Sequence, residues 1–131
     1  MDARMTGGEM QTVREYLGLT TEQLAGRLDV RHDTVRRWES GRDPIPLRVS
    51  QEIEDLEEHT AHAVDQLVAA LHDARDPAVE VYRRVEDMPS DRPDLIALGP
   101  RWWRHVVARA AGQVPGVAIG TRAELAALDE R

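Results

Sequence analysis

Residues 17–41 read LGLTTEQLAGRLDVRHDTVRRWESG, and the start and stop signals inside this stretch decide how the chain folds. Thr20 is followed three residues later by Gln23, the spacing at which a hydroxyl and an amide satisfy each other's free backbone donors at a helix start. Leu24, Ala25 and Leu28 then fall on one face of the helix so begun. Asp29 and Val30 make a tight turn, and a further helix runs from about Arg31 to Ser40. Gly41 ends it with the residue best suited to a left-handed stop. Upstream, Gly18 closes an earlier helix that starts at Thr6, with Glu9 completing its capping box and Met10, Val13 and Leu17 as its apolar face. Downstream, Pro44 and Pro46 interrupt the chain before the next element.

Three short helices, the last two joined by a turn of a few residues, make a helix-turn-helix arrangement. The stretch closely resembles the Cro/C1-type (XRE) repressor family, down to the WESG at 38–41 that closes the third helix. Ala25 is small where two helices cross, while Leu24, Leu28, Val30, Val35 and Trp38 fall where a small core needs apolar side chains. The resemblance implies an ion pair between Arg14 and Glu39 that joins the first and third helices, and a core role for Trp38 rather than base stacking. Asp29 stands where the family usually has glycine at a positive φ, a conformation that aspartate tolerates better than most residues.

The same resemblance implies that the third helix enters the major groove of double-stranded DNA, where base edges carry distinguishable donors and acceptors. His32, Asp33 and Arg37 fall on base-reading positions, and Arg36 faces the same groove edge, toward a base or a phosphate. Arg37 is the residue expected to grip guanine N7 and O6, a contact worth roughly 1–3 kcal/mol of discrimination. Asp33, four residues earlier, either holds that guanidinium or accepts from a cytosine amino group. Arg31 replaces a small hydroxyl residue of the family and is expected to touch phosphate. Thr20, Thr21 and Arg42 are the other phosphate candidates, with the amides that open the second helix. One such unit covers one half-site, so a homodimer on a palindromic operator, with half-sites about 34–36 Å apart, is implied.

From Leu47 to about Ala74 nothing breaks a helix. Val49, Ile53, Leu56, Thr60, Ala63, Leu67 and Leu71 recur at helical intervals, predicting a narrow stripe on one or two consecutive helices. Asp76-Pro77 marks a boundary, and alternating Val79 and Val81 predict a strand over 78–83. A connector occupies 86–94, after which Gly99-Pro100 opens a helix with Trp103, Val106, Val107, Ala110 and Ala111 as its apolar face. Trp102 and Trp103 point about 100° apart on such a helix, so one belongs to the core and the other to the surface or an interface. Val117–Ile119 predicts a second strand, and Thr121 with Glu124 caps a last helix through Leu125 and Leu128.

The fold class is therefore mainly α. A four- to five-helix Cro/C1-type helix-turn-helix domain (1–48) is followed by an acidic linking helix or helices (49–76) and a small α+β unit of β-α-β-α order (77–131). Residues 79–111, VEVYRRVEDMPSDRPDLIALGPRWWRHVVARAA, are similar to the C-terminal part of the YdiL-like regulators and the anti-CRISPR-associated repressors. Val81-Tyr82-Arg83, the acidic connector, Trp103-Arg104-His105 and Ala108-Arg109 carry this likeness. It implies that 77–131 mediates homodimerisation and that the product represses its own operon. Within that likeness Met5, rather than Met1, is the more family-like first residue.

Composition narrows the alternatives. With 131 residues, 41% hydrophobic and 31% charged, the chain suits one ordinary domain or two very small ones. It has no cysteine, hence neither disulfides nor thiolate metal sites. No apolar run approaches the roughly 18 residues that span a bilayer, and no signal-peptide pattern opens the chain, so no membrane partner and a cytoplasmic location are expected. The net charge of −7 looks wrong for a DNA binder, yet it lies entirely in residues 50–76. There Glu52, Glu54, Asp55, Glu57, Glu58, Asp65, Asp73 and Asp76 face Arg75 alone, whereas residues 1–49 and 77–131 are each balanced. Arg31, Arg36, Arg37 and Arg42 form the local basic stripe that phosphate contact requires. All 17 basic residues are arginine, which reads first as a GC-rich coding bias.

No cofactor, metal or catalytic activity is expected. His59 and His62 are spaced like two zinc ligands, but a solvated helix face accounts for them. The acidic 50–76 segment reads chiefly as such a face too. The alternative function is an antitoxin, with a cognate toxin as protein partner for that segment; an interaction adaptor that keeps the fold without reading DNA is a third.

Overall fold

The computed structural model describes residues 5–130, so Met1–Arg4, and with them the alternative start, lie outside the described residues. The chain divides into two compact units between His59 and Thr60.

The first unit contains α1 (Gly7–Tyr16), α2 (Thr21–Leu28), α3 (His32–Glu39) and the beginning of α4 (Leu47–Asp73). The Thr6 hydroxyl caps α1 by accepting the Glu9 amide. The Glu9 carboxylate turns to the Thr6 hydroxyl, so only half of the expected capping box forms. At α2 the box is complete, with Thr20 and Gln23 each accepting the other's backbone N–H. All three helices close in the same way. Leu19, Val30 and Arg42 donate backbone N–H groups to the carbonyls of Arg14, Ala25 and Arg37, five residues back. The residue before each donor is left-handed: Gly18 at φ 74°, Asp29 at φ 55° and Gly41 at φ 79°. Met10, Leu17, Leu19, Leu24, Leu28, Val35, Trp38, Ile45, Val49, Ile53 and Leu56 are buried.

Gly7 sets how closely α1 meets α3. A Cβ there would lie 2.5 Å from the Glu39 carbonyl oxygen and closer still to that of Trp38, whereas one on Gly8 would meet almost nothing. The crossing therefore needs glycine at Gly7 for space, not for backbone conformation.

The second unit contains the rest of α4, β1 (Ala78–Glu80), a 3-10 turn (Val85–Asp87), α5 (Pro93–Ala111), β2 (Ala118–Gly120) and α6 (Arg122–Asp129). The strands pair in parallel, with Ala78, Val79 and Glu80 opposite Ala118, Ile119 and Gly120. Strand, helix, strand and helix thus follow in the expected order.

Several details differ from the sequence reading. α4 is one helix, and beyond Thr60 its buried positions are Val64 and Leu71, while Ala63 and Leu67 are only half-buried. β1 is shorter than predicted: Val81 still donates to Gly120, but the Tyr82 carbonyl is taken by the Arg104 guanidinium instead of a strand. α5 begins earlier, at Pro93 inside the predicted connector, and is interrupted where Gly99 adopts φ 89° and ψ 170°. That extended ψ is what a following proline demands, so Pro100 restarts the helix without an unmet hydrogen bond inside it. The core tryptophan is Trp102, 1% exposed, not Trp103. Its indole N–H donates to the buried Thr60 hydroxyl at 3.0 Å, while Trp103, half-buried, donates to the Glu80 carbonyl at 2.8 Å. Among the described residues no helix is long and apolar enough to cross a membrane.

Candidate nucleic-acid interface

α3 carries two side chains inward, Val35 and Trp38, three residues apart and both buried. Its opposite face leaves Asp33, Arg36, Arg37 and Ser40 exposed, and these line one shallow concavity with Arg42. The helix is anchored from behind by Arg14. Its Nε and Nη2 donate to the two Glu39 carboxylate oxygens at 2.7 and 2.9 Å, and its Nη1 donates to the Leu19 carbonyl at 2.9 Å. Both side chains are about one-tenth exposed. Hydrogen bonding to Glu39 raises the Arg14 pKa above its ordinary value, against a smaller opposing effect of burial. A fork of this kind fixes direction as well as distance, so the last turn of α3 is locked to α1.

At its other end α3 is tied to α2. Thr21 and His32, each the first residue of its helix, meet through Oγ1 and Nε2 at 2.5 Å. A predicted phosphate contact and a predicted base contact are thus hydrogen-bonded to each other. The neighbouring Thr20 hydroxyl accepts the Gln23 amide, which leaves its own proton free to donate outward. Arg31 is the N-cap of α3 and makes no capping hydrogen bond, as a guanidinium with no acceptor must. Arg31, Arg36 and Arg42 are exposed and have no ion-pair partner among the described residues.

Arg37 is held, but not by Asp33. Its Nε donates to Asp43 Oδ2 at 2.8 Å, and the reach to Thr34 Oγ1 is at the 3.5 Å limit. The left-handed Gly41 turns the chain back so that Asp43 arrives beside Arg37, and the Asp43 amide donates to the Arg37 carbonyl. The helical i,i+4 spacing points to Asp33, whereas the partner is Asp43, beyond the end of the helix. The signal was the helix stop itself, since a left-handed residue at Gly41 returns the next residues toward the last turn of α3. Asp33 remains exposed with no partner among the described residues.

His59 and His62 are both exposed on α4. Among the described residues no group of His, Cys, Asp and Glu side chains could hold a metal ion.

A short helix with outward-facing arginines, locked behind to α1 and tied at its start to α2, has the form of the second helix of a helix-turn-helix pair. The chain belongs to the helix-turn-helix domain family, whose sequence profile matches residues 7–78. It is 31% identical over 107 residues to the Aca2 repressor of Pectobacterium phage ZF40, a match covering 79% of this chain and 90% of that protein. It is a DNA-binding transcriptional regulator of the XRE type.

Proposed function

We propose that this regulator is a dimeric autorepressor that reads a palindromic operator with α3 in the major groove. The observation that carries the reading is the outer face of α3. Arg36 and Arg37 project from a helix whose own position is fixed by the Arg14–Glu39 fork. In this reading Arg37 grips a guanine, His32, Asp33 and Arg36 meet neighbouring base edges, and Thr20, Thr21, Arg31 and Arg42 hold phosphates. His32 and Thr21 act as a coupled pair, the hydroxyl bridging a backbone phosphate to the imidazole. Residues 77–131 supply the dimer contact that sets two reading heads one DNA turn apart. The repressor description of the phage relative supports repression as the outcome.

The test is a gel shift of the full chain on the DNA immediately upstream of its own gene, against scrambled duplex and across a salt series. Specific retardation as a dimer on a two-half-site element is the expected result. Equal binding to both duplexes at moderate salt sinks the operator reading and directs the search to a protein partner.

A further inference from the structure

We propose that Asp43, which lies outside α3, is the positioning residue for the base-reading arginine and sets the specificity of the protein. This rests on the reading of Arg37 as the guanine contact. An arginine side chain has many rotamers, and a guanidinium that must find its orientation on the DNA pays that entropy in every binding event. Here Asp43 already restrains that orientation. Asp43 holds Nε at 2.8 Å, and both side chains remain nearly half exposed, so the pair sits at the surface where DNA arrives. With Nε occupied, the end-on fork of Nη1 and Nη2 is the one left to face N7 and O6 of guanine. The carboxylate has a second effect: beside a phosphate backbone it is repulsive, so it weakens any complex in which Arg37 is not engaged with a base. Asp43 thus favours the correct complex by orientation and disfavours the others by charge.

The experiment uses the full chain and duplexes selected by the unaltered protein from a randomised library, each base pair then substituted in turn. Affinities are measured for Asp43→Ala, Asp43→Asn and Arg37→Ala on the selected, substituted and scrambled duplexes. Asp43→Ala is expected to lower discrimination at one guanine by roughly tenfold, while affinity for scrambled duplex stays level or rises. Asp43→Asn, which keeps an acceptor for Nε, restores part of the discrimination. Arg37→Ala abolishes preference at the same guanine. If Arg37→Ala does so and Asp43→Ala leaves discrimination intact, or weakens all duplexes equally, the role of Asp43 is overturned and the reading of Arg37 stands. If Arg37→Ala keeps the preference, the reading of Arg37 itself falls and takes the proposal with it.

Discussion

In the unit that ends at His59, the first three helices each stop at a left-handed residue, three positions before the next helix for Gly18 and Asp29 and six for Gly41. In the unit that starts at Thr60, the chain is pinned instead by side chains that reach 22, 23 and 42 residues along it: Arg104 to Tyr82, Trp103 to Glu80 and Trp102 to Thr60. Local signals delimit the first three helices, with the Arg14–Glu39 fork as a long-range tie among them, whereas the second unit has several such ties. A fold specified by caps and stops loses about 1 kcal/mol when one signal is removed, because the neighbouring signals still hold. The second unit relies more on residues far apart in the chain, with Trp102 the largest of its fully buried side chains.

The largest expected effect follows from that asymmetry. Trp102→Ala should cost roughly 3–5 kcal/mol, the usual loss for a fully buried tryptophan. Amide hydrogen exchange should then show protection lost in β1 and α5 while α1, α2 and α3 keep theirs. Equal loss in both sets would break the comparison, because the two units would be one cooperative structure. Next in size is Arg14→Ala, which removes a long-range tie of comparable weight in the first unit. It leaves the Glu39 carboxylate, about one-tenth exposed, without its cation and should cost roughly 3 kcal/mol. A denaturant midpoint within error of the parent would show that the fork positions α3 without stabilising it.

The same asymmetry explains what could be read from the sequence. The caps at Thr20 and Thr121, the stops at Gly18, Asp29 and Gly41, and the strand-helix-strand-helix order of the second unit all follow from residues within a few positions of one another. Periodicity failed where a helix changes neighbours. Beyond Thr60, whose hydroxyl is taken by Trp102, the buried position of α4 is Val64 rather than Ala63, and nothing in α4 itself announces this. The sequence leaves open which of Trp102 and Trp103 is the core residue for a related reason, since each indole has a hydrogen-bond partner on another element. In the site, the outward arginines were legible through the resemblance to the Cro/C1-type family, but Asp43 was not, because its contact with Arg37 depends on the path of the chain after Gly41.

Gly7 is the long-range feature that sequence reading passed over in the first unit, and it sharpens the comparison at a smaller scale. Gly7 and Gly8 are adjacent glycines at the start of one helix, yet only Gly7 meets backbone across the crossing. Gly7→Ala forces α1 away from carbonyl groups that cannot move aside and should cost roughly 1–3 kcal/mol. Gly8→Ala should be stabilising, by up to about 1 kcal/mol, since it replaces a poor helix former in open space. Thermal melts of the two variants check this directly; equal shifts would mean that the crossing tolerates a methyl group and that α3 is held by the fork alone.

The smallest effect concerns a helix start in the first unit that lacks a capping side chain. Arg31 leaves the amides of α3 without a side-chain acceptor, where Thr6 and Thr20 serve α1 and α2. Arg31→Ser should therefore raise stability by roughly 0.5–1 kcal/mol. If Arg31 holds a phosphate, the same change should weaken binding about equally on selected and scrambled DNA. The dependence of log affinity on log salt should also become shallower by about one for each phosphate no longer neutralised. Stability and affinity then move in opposite directions, as they must if the arginine is kept for the ligand at the expense of the helix. A stabilised variant with unchanged salt dependence would remove Arg31 from the interface and leave Arg42 and the amides of α2 to carry the phosphates.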